Sequence, residues 1–108
     1  MTSRIALFGG SSVRTSYLPE ATQHHNVLQE TLRRAYPNQA VEVTNCADNG
    51  EFVARYLLAG KYENHRENLP GIDVAILRFG ANDQKRMDVA EYKAHVNFFV
   101  DLLEADFP

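Results

Sequence analysis

Arg4-Ile5-Ala6-Leu7-Phe8-Gly9-Gly10-Ser11-Ser12-Val13 is the stretch on which the reading of this 108-residue chain turns. An apolar run stops abruptly at two glycines and two hydroxyl side chains, and a polar stretch and a helical pattern follow. A buried strand delivers a small nucleophile to the rim of a parallel sheet in this way. Glycine permits the sharp turn because it has no Cβ to clash at positive φ. The same layout also describes phosphate-cradling turns, so the decision rests on what lies further along.

After this strand, residues 10–21 read as a loop with a turn fixed by Pro19. Thr22 is placed to cap a helix whose Val27, Leu28, Leu32 and Ala35 share one face, and Pro37-Asn38 ends it. Ala40 to Cys46 (AVEVTNC) is rich in β-branched residues and reads as a second strand. Ala47-Asp48-Asn49-Gly50 then turns into a helix carrying Phe52, Val53, Tyr56, Leu57 and Leu58, with Gly60 as its stop.

Residues 61–69 (KYENHRENL) are polar and read as a loop, and Pro70-Gly71 marks a turn. Asp73 to Phe79 (DVAILRF) is the third strand, ending in Gly80-Ala81-Asn82-Asp83. A last helix starts at Asp88, with Glu91 completing a capping box, and Val89, Tyr92, Val96, Phe99 and Leu103 form its apolar stripe.

Strands alternating with helices imply an α/β domain with a parallel sheet and right-handed crossovers. All strand ends then open on one edge, and Ser11, Gly50 and Asn82 each sit just past a strand's carboxyl end, where open α/β sheets place ligands. This convergence carries more weight than any single motif.

Composition narrows the function. A net charge of -3, with no basic spot denser than a pair such as Arg33-Arg34, argues against a nucleic-acid or anionic-membrane surface. No apolar stretch is long enough to span a bilayer, and Met1-Thr2-Ser3-Arg4 runs straight into a strand. The expectation is a cytoplasmic protein. The lone Cys46 excludes an internal disulfide and a cysteine-based metal site, and it reads as a small buried hydrophobe. No metal or cofactor is expected. Nucleotide binding at Gly9-Gly10-Ser11-Ser12 is disfavoured, since no third glycine or lysine follows at the required spacing.

These residues resemble the SGNH (GDSL-type) hydrolases, serine esterases and acylhydrolases on a flavodoxin-like sheet. Gly9-Gly10-Ser11 stands where the family has Gly-Asp-Ser, Gly50 matches the glycine after the second strand, and Gly80-Ala81-Asn82-Asp83 matches Gly-x-Asn-Asp in full. The resemblance implies a three-layer sheet of strand order 2-1-3 with helices on both faces. It implies Ser11 as the nucleophile toward a small-molecule ester, including carbohydrate and other small-ester acetyl groups. It also implies an oxyanion hole from the N–H groups of Ser11 and Gly50 and the amide of Asn82. Such fixed donors stabilise the charge developing on a carbonyl oxygen, at about 3–4 kcal/mol of barrier each. Gly9, Gly10, Gly80 and Asp83 are left to shape the supporting turns.

Two departures accompany the resemblance. Gly10 replaces the aspartate of the first block, and no Asp-x-x-His, the family's source of its base, occurs in the sequence. Residues 1–108 therefore read as one domain cut before the family's last strands. A serine without a base is a poor nucleophile, so the expectation is weak activity or none for this polypeptide alone. The alternative is a non-catalytic binding or assembly module, self-associating through the exposed edge of the third strand.

Plainer roles fit several other residues. Ser12 is the nucleophile if the register shifts by one. His24 and His25 read as surface or cap residues at a helix start, His65 as solvated, and His95 as packing beside the apolar stripe. Phe98-Phe99 reads as core, or as a surface awaiting a further segment.

Overall fold

The computed structural model describes residues 2–49, 51–80 and 82–108, apart from the side chains of Ser11 and Ser12. β1 (Thr2–Gly9) lies between β2 (Ala40–Asn45) and β3 (Val74–Arg78), parallel to both, in the order β2-β1-β3. Ile5 stands opposite Val43 and Val74, and Leu7 opposite Asn45 and Ile76. Asp73 fixes the start of the β1–β3 ladder. Its Oδ2 accepts from the Arg4 N–H at 2.8 Å, and its own N–H donates to the Arg4 carbonyl at 2.8 Å.

Alternation along β1 supplies both sheet faces. Ala6 and Phe8 point into a core built with α3 (Val53–Leu58), α4 (Lys61–Glu67) and α5 (Val89–Asp106). There the Phe8 and Phe99 rings meet edge-on at 5.2 Å, and Tyr62 meets Phe99 the same way at 5.2 Å. On the other face Leu7, Val41 and Val43 pack against Val13 of α1 (Ser11–Arg14) and against Leu28 and Leu32 of α2 (His24–Ala35). The result is the α/β sheet of order 2-1-3 with helices on both faces that the sequence implied.

The α2 face is covered over β1 and β2 only. Val74 and Ile76 continue the rows of Ile5 and Leu7 onto β3, yet they are 50% and 42% exposed.

Three local expectations are corrected. Residues 61–67 are helical, not loop: α4 is polar along most of its length but is pinned by the buried Tyr62, and Arg66 pairs with Glu63 at 2.8 Å one turn back. Gly60, at φ 74, lets the chain leave α3 and start α4 at once. Residues 11–14 form a single helical turn rather than loop, closed by the N–H groups of Val13 and Arg14 on the Gly10 carbonyl, each at 3.0 Å.

Thr22 does not cap α2. It ends a 3₁₀ turn (Glu20–Thr22) with its hydroxyl donating to the Pro19 carbonyl at 2.9 Å, and Gln23 takes the cap position. The α5 start is as expected, Asp88 Oδ1 accepting from the Glu91 N–H at 2.8 Å. Among the described residues, no helix is long and apolar enough to cross a membrane.

Candidate active site at the carboxyl rim of the sheet

β1 leaves the sheet at Gly9, where only glycine fits. A Cβ there would overlap the Arg78 carbonyl oxygen and lie 2.7 Å from Val13 Cγ2. The carbonyl of Gly9 accepts from the Asp48 N–H at 3.0 Å, which ties the end of β1 to the segment following β2. Arg14 reinforces this tie, donating through Nη1 to the Ala47 carbonyl at 2.8 Å. Thr15 then takes φ 52, rare for a β-branched residue. It is fully buried and held by its hydroxyl, which donates to the Arg14 carbonyl at 2.8 Å and accepts from the His24 N–H at 3.0 Å.

Gly10 is where the three loops meet. A Cβ on it would stand 3.4 Å from Asn82 Nδ2 and 3.4 Å from the Glu51 carbonyl oxygen. Asn82 Nδ2 donates to that same carbonyl at 3.3 Å. One amide hydrogen orients the side chain, and the nitrogen carries a second. The segment after β1, the one after β2 and the one after β3 are thus in mutual contact at one point of the rim.

Asp83 holds the last two of these together. It is fully buried, Oδ1 accepting from the Val53 N–H at 2.8 Å and Oδ2 from the Gly80 N–H at 2.9 Å. Gly80 adopts φ 129, a conformation that favours glycine. Gly9, Gly10, Gly80, Asn82 and Asp83 therefore converge. The Ser11 backbone opens α1 beside them, whereas its side chain, that of Ser12, and Gly50 lie outside the described residues.

The histidines sit elsewhere. His24 is exposed at the start of α2. His25 has Nδ1 3.4 Å from Asn45 Nδ2, and burial lowers its pKa below the usual imidazole value. His95 is half-buried on α5. The expectation of a solvated His65 is corrected: it is half-buried on α4, stacked over the Tyr56 ring at 6.2 Å, with Nε2 3.3 Å from Asp48 Oδ2. Polar neighbours in sequence concealed this, because the partner comes from the segment after β2. Cys46 is fully buried, and burial together with the Asp48 charge pushes its thiol up to about 12.

Glu51 is the rim residue that the sequence reading missed. Its carbonyl orients Asn82, its side chain is buried, and Oε1 lies 3.5 Å from Arg55 Nε. Its signal was adjacency to Gly50 at the second strand's loop.

No family model and no curated protein matches the chain. Comparison with solved structures nevertheless defines the fold as that of the SGNH hydrolases. The chain is similar to the crystal structure of AlinE4, an SGNH-hydrolase family esterase, with a TM-score of 0.79 at 21% identity, over 97% of this chain and 55% of that one. An aspartate-to-alanine variant of the same esterase aligns with a TM-score of 0.77 at 22% identity, over 100% of this chain and 57% of that one. A serine-to-alanine variant gives 0.78 at 22%, over 97% and 55%. The chain thus spans little more than half the length of the structures it matches, corresponding to their N-terminal half.

Proposed function

We propose that the rim is the nucleophile and oxyanion half of an SGNH-type serine esterase site. Ser11 is the nucleophile toward an ester carbonyl, and the N–H groups of Ser11 and Gly50 and the second Asn82 amide hydrogen receive the developing negative charge. The observation that carries this reading is the contact of Asn82 Nδ2 with both the Gly10 position and the Glu51 carbonyl. It puts an oriented amide donor beside the residue that precedes Ser11. The esterase identity of AlinE4 agrees with it.

The sequence has no Asp-x-x-His, so the base that the family pattern would give Ser11 is not among the residues matched here. Without it, a serine site retains about 10³–10⁴ over water from its oxyanion donors and binding alone. The experiment is hydrolysis of a short-chain aryl ester by the longest natural polypeptide carrying this sequence, with Ser11→Ala beside it. A loss of about 10³-fold or more is expected. Equal rates for the two proteins would end the esterase reading. Acetyl esters of carbohydrates and other small alcohols are the substrates to try first.

A second reading, an assembly module of the same fold, is favoured by one observation. β3 has a free edge and carries Val74 and Ile76 half-exposed. Such an edge offers unpaired backbone groups to another strand, and a second copy of this chain is the proposed occupant.

A further inference from the structure

Phe52 and Arg86 belong to the segments after β2 and β3, and the Arg86 Cζ stands 4.6 Å from the centroid of the Phe52 ring. We propose that this pair, flanked by Arg55, is a binding site for an oxyanion, a carboxylate or a phosphate, carried by the ester that the rim takes. The inference rests on the esterase reading of the rim and extends it to the class of substrate.

Attachment to the rim is the first argument. The residues on either side of Phe52 are each bonded to the turn that leads to Arg86. The Glu51 carbonyl accepts from Asn82 Nδ2 at 3.3 Å, and the Val53 N–H donates to Asp83 Oδ1 at 2.8 Å. Arg86 is fixed in the same turn, its N–H donating to the Asp83 carbonyl at 2.9 Å. Four positions along a 3₁₀ turn rise about 8 Å, so the backbones of Asn82 and Arg86 stand a distance apart that one small ester spans.

Charge is the second. The chain carries -3 overall, yet positive charge is left over at this point. Arg86 is exposed, and among the described residues no carboxylate pairs with it. The acids nearby are already answered. Asp83 is buried and accepts from two backbone N–H groups, and the buried Glu51 carboxylate faces Arg55 Nε at 3.5 Å. Arg55 still has 58% of its side chain exposed, and it follows Phe52 by three residues at the start of α3, which puts the two side by side.

Orientation is the third. A guanidinium laid on an aromatic face keeps its N–H edges open while the ring limits how its plane can turn. That is the geometry in which arginine meets an oxyanion through two parallel hydrogen bonds. Phe52 is half-buried, so its ring is a fixed support.

The test is an NMR titration of this chain with two matched pairs of unreactive amides. N-acetylglycine is set against N-acetylglycinamide, and the phosphate monoester of N-acetylethanolamine against N-acetylethanolamine itself. Each pair keeps the carbonyl and changes the charge at the far end. The anionic members are expected to bind about three- to tenfold more tightly at low salt, with shifts at the Arg86 Nε–H. The preference fades toward about 0.5 M salt, and comparing the two pairs tells which oxyanion the site takes. Arg86→Gln, at an exposed position, is expected to abolish the preference while the neutral amides bind as before, which shows the rim intact. Arg86→Lys recovers only part of it, having the charge without the fork. Equal affinity within both pairs, no binding by either anionic member, or a preference that persists in Arg86→Gln overturns the proposal. None of these amides needs attack by Ser11, so the Ser11→Ala comparison decides the esterase reading separately.

Discussion

Val53 and Asp83, thirty residues apart in sequence, are joined by a buried 2.8 Å hydrogen bond from the Val53 N–H to Asp83 Oδ1. Through Oδ2 the same carboxylate holds Gly80, so one side chain fixes the start of α3 against the turn that carries Asn82. Asp83→Ala leaves two N–H groups without acceptors. Stranded buried donors cost about 1–3 kcal/mol each, so a loss of roughly 2–5 kcal/mol is expected in urea unfolding. Asp83→Asn, which retains one acceptor oxygen, recovers part of it.

Adjacent glycines at the end of β1 should respond differently to alanine. At Gly9 the added methyl overlaps the Arg78 carbonyl oxygen and presses on Val13 at 2.7 Å. Overpacking of this kind costs roughly 1–3 kcal/mol, more where the obstacle is backbone. At Gly10 the nearest atoms lie at 3.4 Å, an ordinary contact. Thermal unfolding should show a clear loss for Gly9→Ala and a smaller one for Gly10→Ala.

Acid stability should depend on Asp106. Tyr62 Oη donates to its Oδ2 at 2.6 Å and Arg66 Nη1 to its Oδ1 at 3.2 Å. The Tyr62 bond, aided by Arg66, holds this carboxyl below the usual value of 3.8. Between the folded and unfolded pKa the unfolded chain binds more protons, so stability is fully present above about pH 4 and is lost as pH falls through the folded pKa. Asp106→Asn should flatten that slope in a pH series of urea unfolding curves.

The free edge of β3 gives the assembly reading its own measurement. Light scattering should find the chain self-associated at tens of micromolar, and Ile76→Lys should return it to monomer, since a charge on an edge strand opposes pairing. A monodisperse monomer without the substitution would remove this reading.

Much of this was legible in the sequence, and each failure has a physical cause. The strands and the stripe of α5 show their period directly, and Gly-x-Asn-Asp marks the third loop. α4 was not legible, because its stability comes from Tyr62 entering the core and Arg66 reaching Asp106, contacts forty and more residues away in sequence. Its own residues are almost all polar, so no apolar stripe announces the helix. The Thr22 cap failed for a different reason: the hydroxyl was taken by the Pro19 carbonyl three residues before it. At the rim, the convergence of the loops that carry Ser11 and Asn82 was foreseen, whereas the Glu51 carbonyl that Asn82 reaches was invisible. Its part is played by backbone, which any residue type supplies.

The middle position of β1 has a bearing on biosynthesis. The strand emerges from the ribosome before either of its neighbours, and its second hydrogen-bonding edge stays open until residues 74–78 have been made. During that interval Ile5, Ala6, Leu7 and Phe8 form a hydrophobic tetrad with one edge unpaired, the kind of transiently open strand that makes a nascent chain prone to misassociate.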